Sequence, residues 1–511
     1  MTSSNPTPAA VQKLQADPSQ LAQGLHSDAD FQKLDAKLRK KRLERLFLDQ
    51  HSKPLTVNRV RIHGATNVRH GFLNPIIAPL VHDNDATTVG DVLLKLRDAS
   101  HKLDSFELFH PNPQVWLSNV DATDPDSTVT DTDIDIRVRE LGRFLLKGGT
   151  DFGNGEGEGY ASLLWRNVFG GAEMLTFNAS RGTRTRSAYN ASLSMPLFSN
   201  PDFRLAFEGL SSVTEKSWAS HEENLNGGTA RLSWLSDKRD MHSVEYTSMW
   251  RQITGLGPRA SPTVRHDSGD SLKTAIKHTF SRERRDNPNL PQSGYHVRSA
   301  VELAGLGPMG GDVSFAKTEL NAGGALPIPI PGIKGRSGVS IGAGLRLGML
   351  CPLAQNLVGT MKPSRINDRF QLGGPTDVRG FRLGGLGPRD LGDALGGDIA
   401  VAGSVNLLVP FPGRGADSAL RLQAFANAGR LVALSGHRSG EKQSHKFDLF
   451  QSLQNSFGEL ATGPPSIAAG VGIVYAHPVA RFELNFGLPI ALRRGEDAAK
   501  GFQVGVGINF M

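Results

Sequence analysis

Cysteine is almost absent. Cys351 stands alone in 511 residues, which excludes an internal disulfide framework, and no Cys-His cluster has zinc-ligand spacing. Long apolar runs are missing as well. No stretch approaches the roughly 18–20 apolar residues of a membrane-spanning helix, and mean hydropathy is −0.28. These absences exclude helical spans but leave a transmembrane barrel open, because a barrel carries its apolar residues at every second position. The N-terminus, MTSSNPTPAAVQKLQADPSQ, has no apolar h-region of a secretory signal. With Asp17, Asp28 and Asp30 it also lacks the Arg-rich, acid-poor character of a transit peptide. With Met1 as the native start, a bacterial outer-membrane destination is not expected.

Glycine is plentiful at 58 residues and clusters after residue 140, as strand ends, kinks and tight lumen packing require. A net charge of +7 and a pI near 9.4 favour anionic partners or lipid headgroups. Residues 1–30 have little to bury and read as disordered. From Phe31 to Gln50 a helical pattern places Leu34, Leu38, Leu43, Leu46 and Phe47 on one side, opposite the basic run Lys37 to Arg45. That helix either docks on a neighbour or lies on a membrane surface.

Residues 54–141 read as a small α+β domain. Leu55 to Ile62 alternates as a strand, helical patterns follow at about 71–81 and 89–104, and strands at about 106–118 and 132–140. Thr87 or Thr88 caps the second helix. No catalytic group stands out here, so binding is the expected role.

From residue 142 to 511 alternation replaces helical periodicity. Phe482, Leu484, Phe486 and Leu488 alternate with Arg481, Glu483 and Asn485, and Phe502, Val504, Val506, Ile508 and Phe510 with Gln503, Gly505, Gly507 and Asn509. About sixteen such segments of roughly ten residues occur, the length of a tilted membrane-crossing strand. Their polar faces hold Arg204 and Glu208, Arg298 and Glu302, and Arg346. A water-filled lumen accepts such charges, whereas a dry sandwich core would not. The expected fold is thus an α+β N-terminal domain followed by an all-β transmembrane barrel of about 16 antiparallel strands.

One stretch breaks the alternation. Residues 364–398, SRINDRFQLGGPTDVRGFRLGGLGPRDLGDALGGD, are too rich in Gly, Pro and Asp for helix or strand and too long for a simple strand connection. At its centre lie Val378, Arg379, Gly380 and Phe381. The Arg379 guanidinium cannot shed its charge and needs an acceptor. In Leu420 to Arg430, Phe425 and Asn427 face the lumen by parity. A loop folded inward brings Arg379 onto the Phe425 ring and the Asn427 side-chain oxygen; a loop left outside keeps Arg379 solvated.

Phe370-x-Leu-Gly-Gly, Val378-Arg-Gly-Phe381 and Phe425-x-Asn-x-Gly429, together with Asn167-Val-Phe-Gly170 as a second-strand motif, resemble the barrel-assembly proteins related to bacterial BamA. The preceding β-α-α-β-β unit resembles a single POTRA domain. One such domain, no signal sequence, and Asn427 where the bacterial pattern has an acid resemble the family's mitochondrial branch, the barrel subunits of the sorting and assembly machinery. The Asn departure means that a salt bridge at this position should not be carried over.

The resemblance implies folding and insertion of other barrels into the mitochondrial outer membrane, with the N-terminal domain in the intermembrane space. Expected partners are β-barrel precursors, metaxin-like accessory subunits on the cytosolic side, membrane lipids and a second copy of the chain, without nucleic acid. No enzymatic activity, cofactor or metal is implied. A lateral gate is expected between the first strand, about Gly142 to Asp151, and the last, 502–510. Its residues are Phe144, Leu146, Gly148, Thr150, Gln503, Gly505, Gly507, Ile508 and Phe510. The glycine-rich Phe152 to Gly159 should pair poorly, and an opened edge would receive a client strand by β-augmentation. Client signals of the family read polar-x-Gly-x-x-apolar-x-apolar, a pattern that Gln503-x-Gly505-x-x-Ile508-x-Phe510 fits.

The rival readings are a protein-translocating pore of the same superfamily, with clients against Arg346 and Glu483, and a passive channel, which a lumenal loop would plug. Three apparent motifs carry no chemistry. Gly338-Val-Ser340-Ile-Gly342 has hydrolase spacing without the helix that must follow. Gly153–Gly159 lacks the Lys-Ser/Thr of a phosphate loop, and Arg181, Arg184 and Arg186 read as an exposed hairpin.

Overall fold

The computed structural model describes residue 38 onward, apart from 40, 43–44, 46–48, 82–87, 121–127, 129, 154–155, 237–239, 306–309, 332–336, 355–361, 435–448, 478–479 and 508–511. The expected helix at 31–50 falls largely outside these residues, although the described ones between 38 and 50 are helical. Contacts divide the chain into two compact units, which part between Leu141 and Gly142, with Asn67–Arg69 grouped in the second.

The first unit contains β1 (Thr56–His63), α1 (His70–Val81), α2 (Val89–Ser105), β2 (Gln114–Asn119) and β3 (Asp131–Arg137). Its sheet runs β1-β3-β2, with β1 parallel and β2 antiparallel to the central strand. Burial on β3 follows period 2 at Thr132, Ile134 and Ile136, and on the helices it follows the stripe Phe72, Ile76, Leu80 and Val92, Leu96, Leu103. Thr88 caps α2 through a reciprocal box with Asp91. The expected strand at 106–118 begins only at Gln114. Phe106 caps the helix instead, and Glu107 (φ 55°) and Asn112 (φ 65°) take left-handed conformations that no strand contains.

The second unit is one sixteen-stranded antiparallel sheet in sequence order. Its first half comprises β4 (Phe144–Gly153), β5 (Glu156–Arg166), β6 (Met174–Gly182), β7 (Thr185–Leu197), β8 (Asn200–Lys216), β9 (His221–Leu235), β10 (Met241–Thr254) and β11 (Gly269–Glu283). A short helix, α3 (Pro262–His266), interrupts the connection to β11. Then come β12 (Gly294–Ala304), β13 (Phe315–Pro327) and β14 (Ser340–Pro352). After the long loop, which holds the short strands β15 (Arg389–Asp390) and β16 (Asp393–Ala394), follow β17 (Ile399–Pro410) and β18 (Leu420–Val432). α4 (Leu449–Thr462) precedes β19 (Ser466–Ala476), β20 (Arg481–Ala491) and β21 (Gly501–Gly507). The terminal strands β4 and β21 lie side by side, with Cα atoms within 8 Å, so the sheet closes on itself as a barrel.

Register sorts the side chains as alternation demands. Phe144, Trp165, Leu175, Leu193 and Phe207 stand in one cross-strand row on the outer face. Glu208, Arg231 and Glu245 belong to the other face, where Arg231 bonds both acids at 2.8 Å. Three expectations need correction. Phe152 to Gly159 does not pair poorly: β4 and β5 ladder through Asp151–Glu158, Phe152–Gly157 and Gly153–Glu156. Lost side-chain packing at glycine does not remove backbone bonds when both neighbours are already aligned. Asn167-Val-Phe-Gly170 lies just beyond β5, because Asn167 has φ 54° and its side chain holds the turn through the Ala172 N–H. β4 begins at Phe144 and β21 at Gly501, while Ile508 and Phe510 lie outside the described residues.

Candidate functional site: the lumenal loop and the strand seam

Residues 364–398 fold inside the barrel. Phe370, Leu372, Val378, Phe381 and Leu386 are buried in one cluster with Leu350, Ala400, Ala402, Leu431 and Ala468 of the wall. Small wall residues leave the space that the loop's large side chains fill. Gly429 belongs to this fit, since a Cβ there would sit 2.8 Å from Leu386 Cδ1.

Arg379 is held from three sides. Its Nε and Nη2 donate to the two carboxylate oxygens of Glu483 at 2.9 and 3.1 Å, with both side chains 0% exposed. Its guanidinium carbon lies 5.3 Å from the Phe425 ring centre. The Asn427 side-chain oxygen, turned toward the loop, accepts from the Arg379 main-chain N–H at 2.9 Å. The sequence therefore points to the right wall, but Asn427 meets the backbone and the charge partner is Glu483, two strands further on. Glu483 also binds Arg481 at 2.6 Å and accepts from Asn485 Nδ2 at 2.7 Å. One carboxylate thus serves two buried guanidinium groups, and bidentate geometry fixes the loop's height as well as its charge.

A second anchor escapes sequence reading altogether. Asp368, near the loop's beginning, accepts from Arg251 Nη1 and Nη2 at 2.6 and 3.2 Å, and Lys273 Nζ lies 3.6 Å away. Lys317 donates to the Asp368 carbonyl at 3.1 Å and stands 4.4 Å over the Phe370 ring. Arg346, read from sequence as a lumen charge, pairs with Asp377 of the loop at 3.0 Å. Asp368 among Gly and Pro looks like any solvated loop acid, and no local pattern marks it.

The loop also reaches the last strand. Gly380 N–H donates to Gln503 Oε1 at 2.8 Å, and Gln503 Nε2 donates to the Phe381 carbonyl at 3.1 Å. Phe381 forms a bridge with Ala498, and Ala499 N–H donates to Gly380 O at 2.9 Å. On β21, Phe502 and Val504 point outward, whereas Gln503, Gly505 and Gly507 face the lumen. Across the seam, Phe144 and Leu146 are 64% and 73% exposed, and Gly148 and Thr150 continue their row. Among the described residues β4 ladders only with β5, and β21 only with β20. Ser340 Oγ merely donates to the Pro291 carbonyl.

A sixteen-stranded barrel filled by its own loop, with that loop bonded to the last strand, defines the class: a plugged transmembrane β-barrel. Residues 167–510 match the Omp85 superfamily domain. A SAM50-like protein of Schizosaccharomyces pombe is 34% identical over 94% of this chain and 96% of its own length. The human sorting and assembly machinery component 50 homolog is 30% identical over 96% of each chain. In fold, BamA from Haemophilus ducreyi, solved without its POTRA domains 1–3, superposes with a TM-score of 0.68. That match covers 89% of this chain and 84% of that one at 16% identity. The chain belongs to the Omp85 superfamily and, within it, to the family of sorting and assembly machinery component 50 proteins, outer-membrane barrels of the barrel-assembly type.

Proposed function

We propose that the protein folds β-barrel precursors and inserts them into the mitochondrial outer membrane through a gate between β4 and β21. In this reading the client's terminal strand pairs with β4. The observation that carries it is the seam itself: among the described residues β4 and β21 share no ladder, and Gly505 and Gly507 stand on the inner face of β21. Gly148 and Gly149 lie on the opposing edge. A seam with little side-chain packing and no ladder among the described residues opens at low cost, and the edge of β4 is then a template for a new strand. The names of the relatives support the same reading. No bond-making chemistry is involved, and no catalytic residue is assigned.

Residues 54–141 would act as a POTRA-like domain in the intermembrane space, ahead of a barrel formed by 142–511. Metaxin-like subunits would sit on the cytosolic side. The pore reading is disfavoured because the lumen holds a packed loop secured by two buried carboxylates, Asp368 and Glu483.

The test replaces Cys351 with Ser and places single cysteines along 143–150 and 502–507, and separately at lumen position Arg298. An arrested barrel precursor carries a cysteine in its terminal strand. Disulfides at 143–150 in one register are expected. Adducts confined to position 298 would establish passage through the lumen and overturn the gate.

A further inference from the structure

We propose that the backbone of Gly380 and Phe381 is a reading site for a carboxamide side chain on whichever strand occupies the last position of the barrel. It would therefore select client strands that carry Gln where this chain has Gln503. The inference rests on the client-receiving seam above and adds to it a residue-level selectivity that main-chain pairing cannot supply.

The two loop groups present one donor and one acceptor, the Gly380 N–H and the Phe381 carbonyl, and Gln503 satisfies both at 2.8 and 3.1 Å. A carboxamide offers an acceptor and a donor side by side on one planar tip, at every physiological pH. A Glu at this position could accept from Gly380 but, ionised, could not donate to Phe381. A Leu would leave both backbone groups without a partner in a partly buried setting. Asn is one methylene short.

The reading surface is also rigid. Arg379 is locked to Glu483, and Phe381 is paired with Ala498. Gly380 has φ +86° and lies so close to the wall that a Cβ on it would fall 2.5 Å from Ala468 Cβ. A Cβ on Gly487 would come 3.3 Å from Gly380 Cα. The two glycines let the loop backbone lie flat on β19 and β20, beside the strand it reads. By contrast, Phe502 and Val504 on the outer face of β21 ask only for apolarity. Ladder bonds give a strand its affinity, and side-chain sites give it identity.

The test uses the full chain in lipid nanodiscs and the peptide Phe-Gln-Val-Gly-Val-Gly-Ile-Asn-Phe, residues 502–510. The peptide carries benzoylphenylalanine in place of Phe502, and its attachment points are mapped by mass spectrometry. Matched peptides carry Gln503→Leu or Gln503→Glu. The Gln peptide is expected to label residues 144–153, and the Leu and Glu peptides to bind about tenfold or more weakly. A protein variant, Gln503→Leu, loosens the resident strand and should take up the Gln peptide more readily. Equal affinity of all three peptides at 144–153 would overturn the reading site and leave the seam standing. No labelling of 144–153 in either protein would overturn both.

Discussion

Glu483→Gln is the sharpest test of how the loop is held. In the native barrel one carboxylate faces two guanidinium groups, Arg379 at 2.9 and 3.1 Å and Arg481 at 2.6 Å, and all three side chains are buried. The amide keeps the size of the side chain but strands two cations. Removing one partner of a buried ion pair costs about 3–5 kcal/mol, because the remaining charge stays desolvated. Arg379→Met makes the opposite change. It retains most of the volume and leaves Glu483 bound to Arg481 and Asn485. Its cost, chiefly the lost stacking on Phe425 and the orphaned Arg379 bonds, should be no more than half as large.

The assay is the temperature at which the folded barrel, resolved by its faster migration on a gel, converts to the unfolded form in mild detergent. It runs alongside protease cleavage of residues 364–398. The expected order is wild type, Arg379→Met, then Glu483→Gln as the least stable. A Met variant that melts as low as the Gln variant would refute the charge-counting argument. The loop would then be held by shape and by the arginine's own packing.

Three further outcomes follow from the same geometry. Asp368→Asn leaves Arg251 and Lys273 facing an uncharged group. It should cost about 3–5 kcal/mol, read as early proteolysis at the loop's start while Arg379 remains protected. Gly380→Ala combines a positive φ with a Cβ placed 2.5 Å from Ala468 Cβ. The barrel should assemble, but a disulfide probe between positions 382 and 497 should form in lower yield, and client insertion should slow. Thr88→Ala removes the reciprocal cap of α2, which should lower the stability of the first unit by about 1 kcal/mol. Hydrogen exchange along 89–105 measures this, and unchanged protection there would refute the cap's contribution.

The barrel was legible because each strand has one face toward apolar surroundings and one toward the lumen, and that asymmetry writes itself into sequence at period two. The loop was legible for the opposite reason, since nothing regular can be built from its Gly, Pro and Asp. Alternation reports which face a residue occupies, but neither its depth nor its partner across the barrel. Glu483 was therefore readable as lumenal but not as the counter-charge of Arg379, which lies 104 positions away in sequence. Asp368 gave no signal, because its cations come from β10, β11 and β13 and only the fold assembles them. The mistaken reading of residues 152–159 came from treating glycine as a ladder breaker, whereas it removes side-chain packing and leaves the backbone bonds.

The anchors differ in strength, and the difference assigns the moving part. Asp368 and Arg379 fix the loop to opposite stretches of wall through buried, bidentate ion pairs, each costing about 3–5 kcal/mol to break. Its hold on β21 itself is two neutral hydrogen bonds from Gln503, about 1 kcal/mol each, beside the ladder to β20, while Asp497, Ala498 and Ala499 ahead of the strand are bound to the loop through main-chain contacts. If the seam opens as proposed, β21 lets go before the loop does. In the proposed strand exchange the loop is therefore the fixed jig and the last strand the replaceable piece. An arriving strand is measured against a Gly380–Phe381 edge that has not moved. A loop that swung out with each client would lose that reference, and would have to break both buried carboxylate anchors each time.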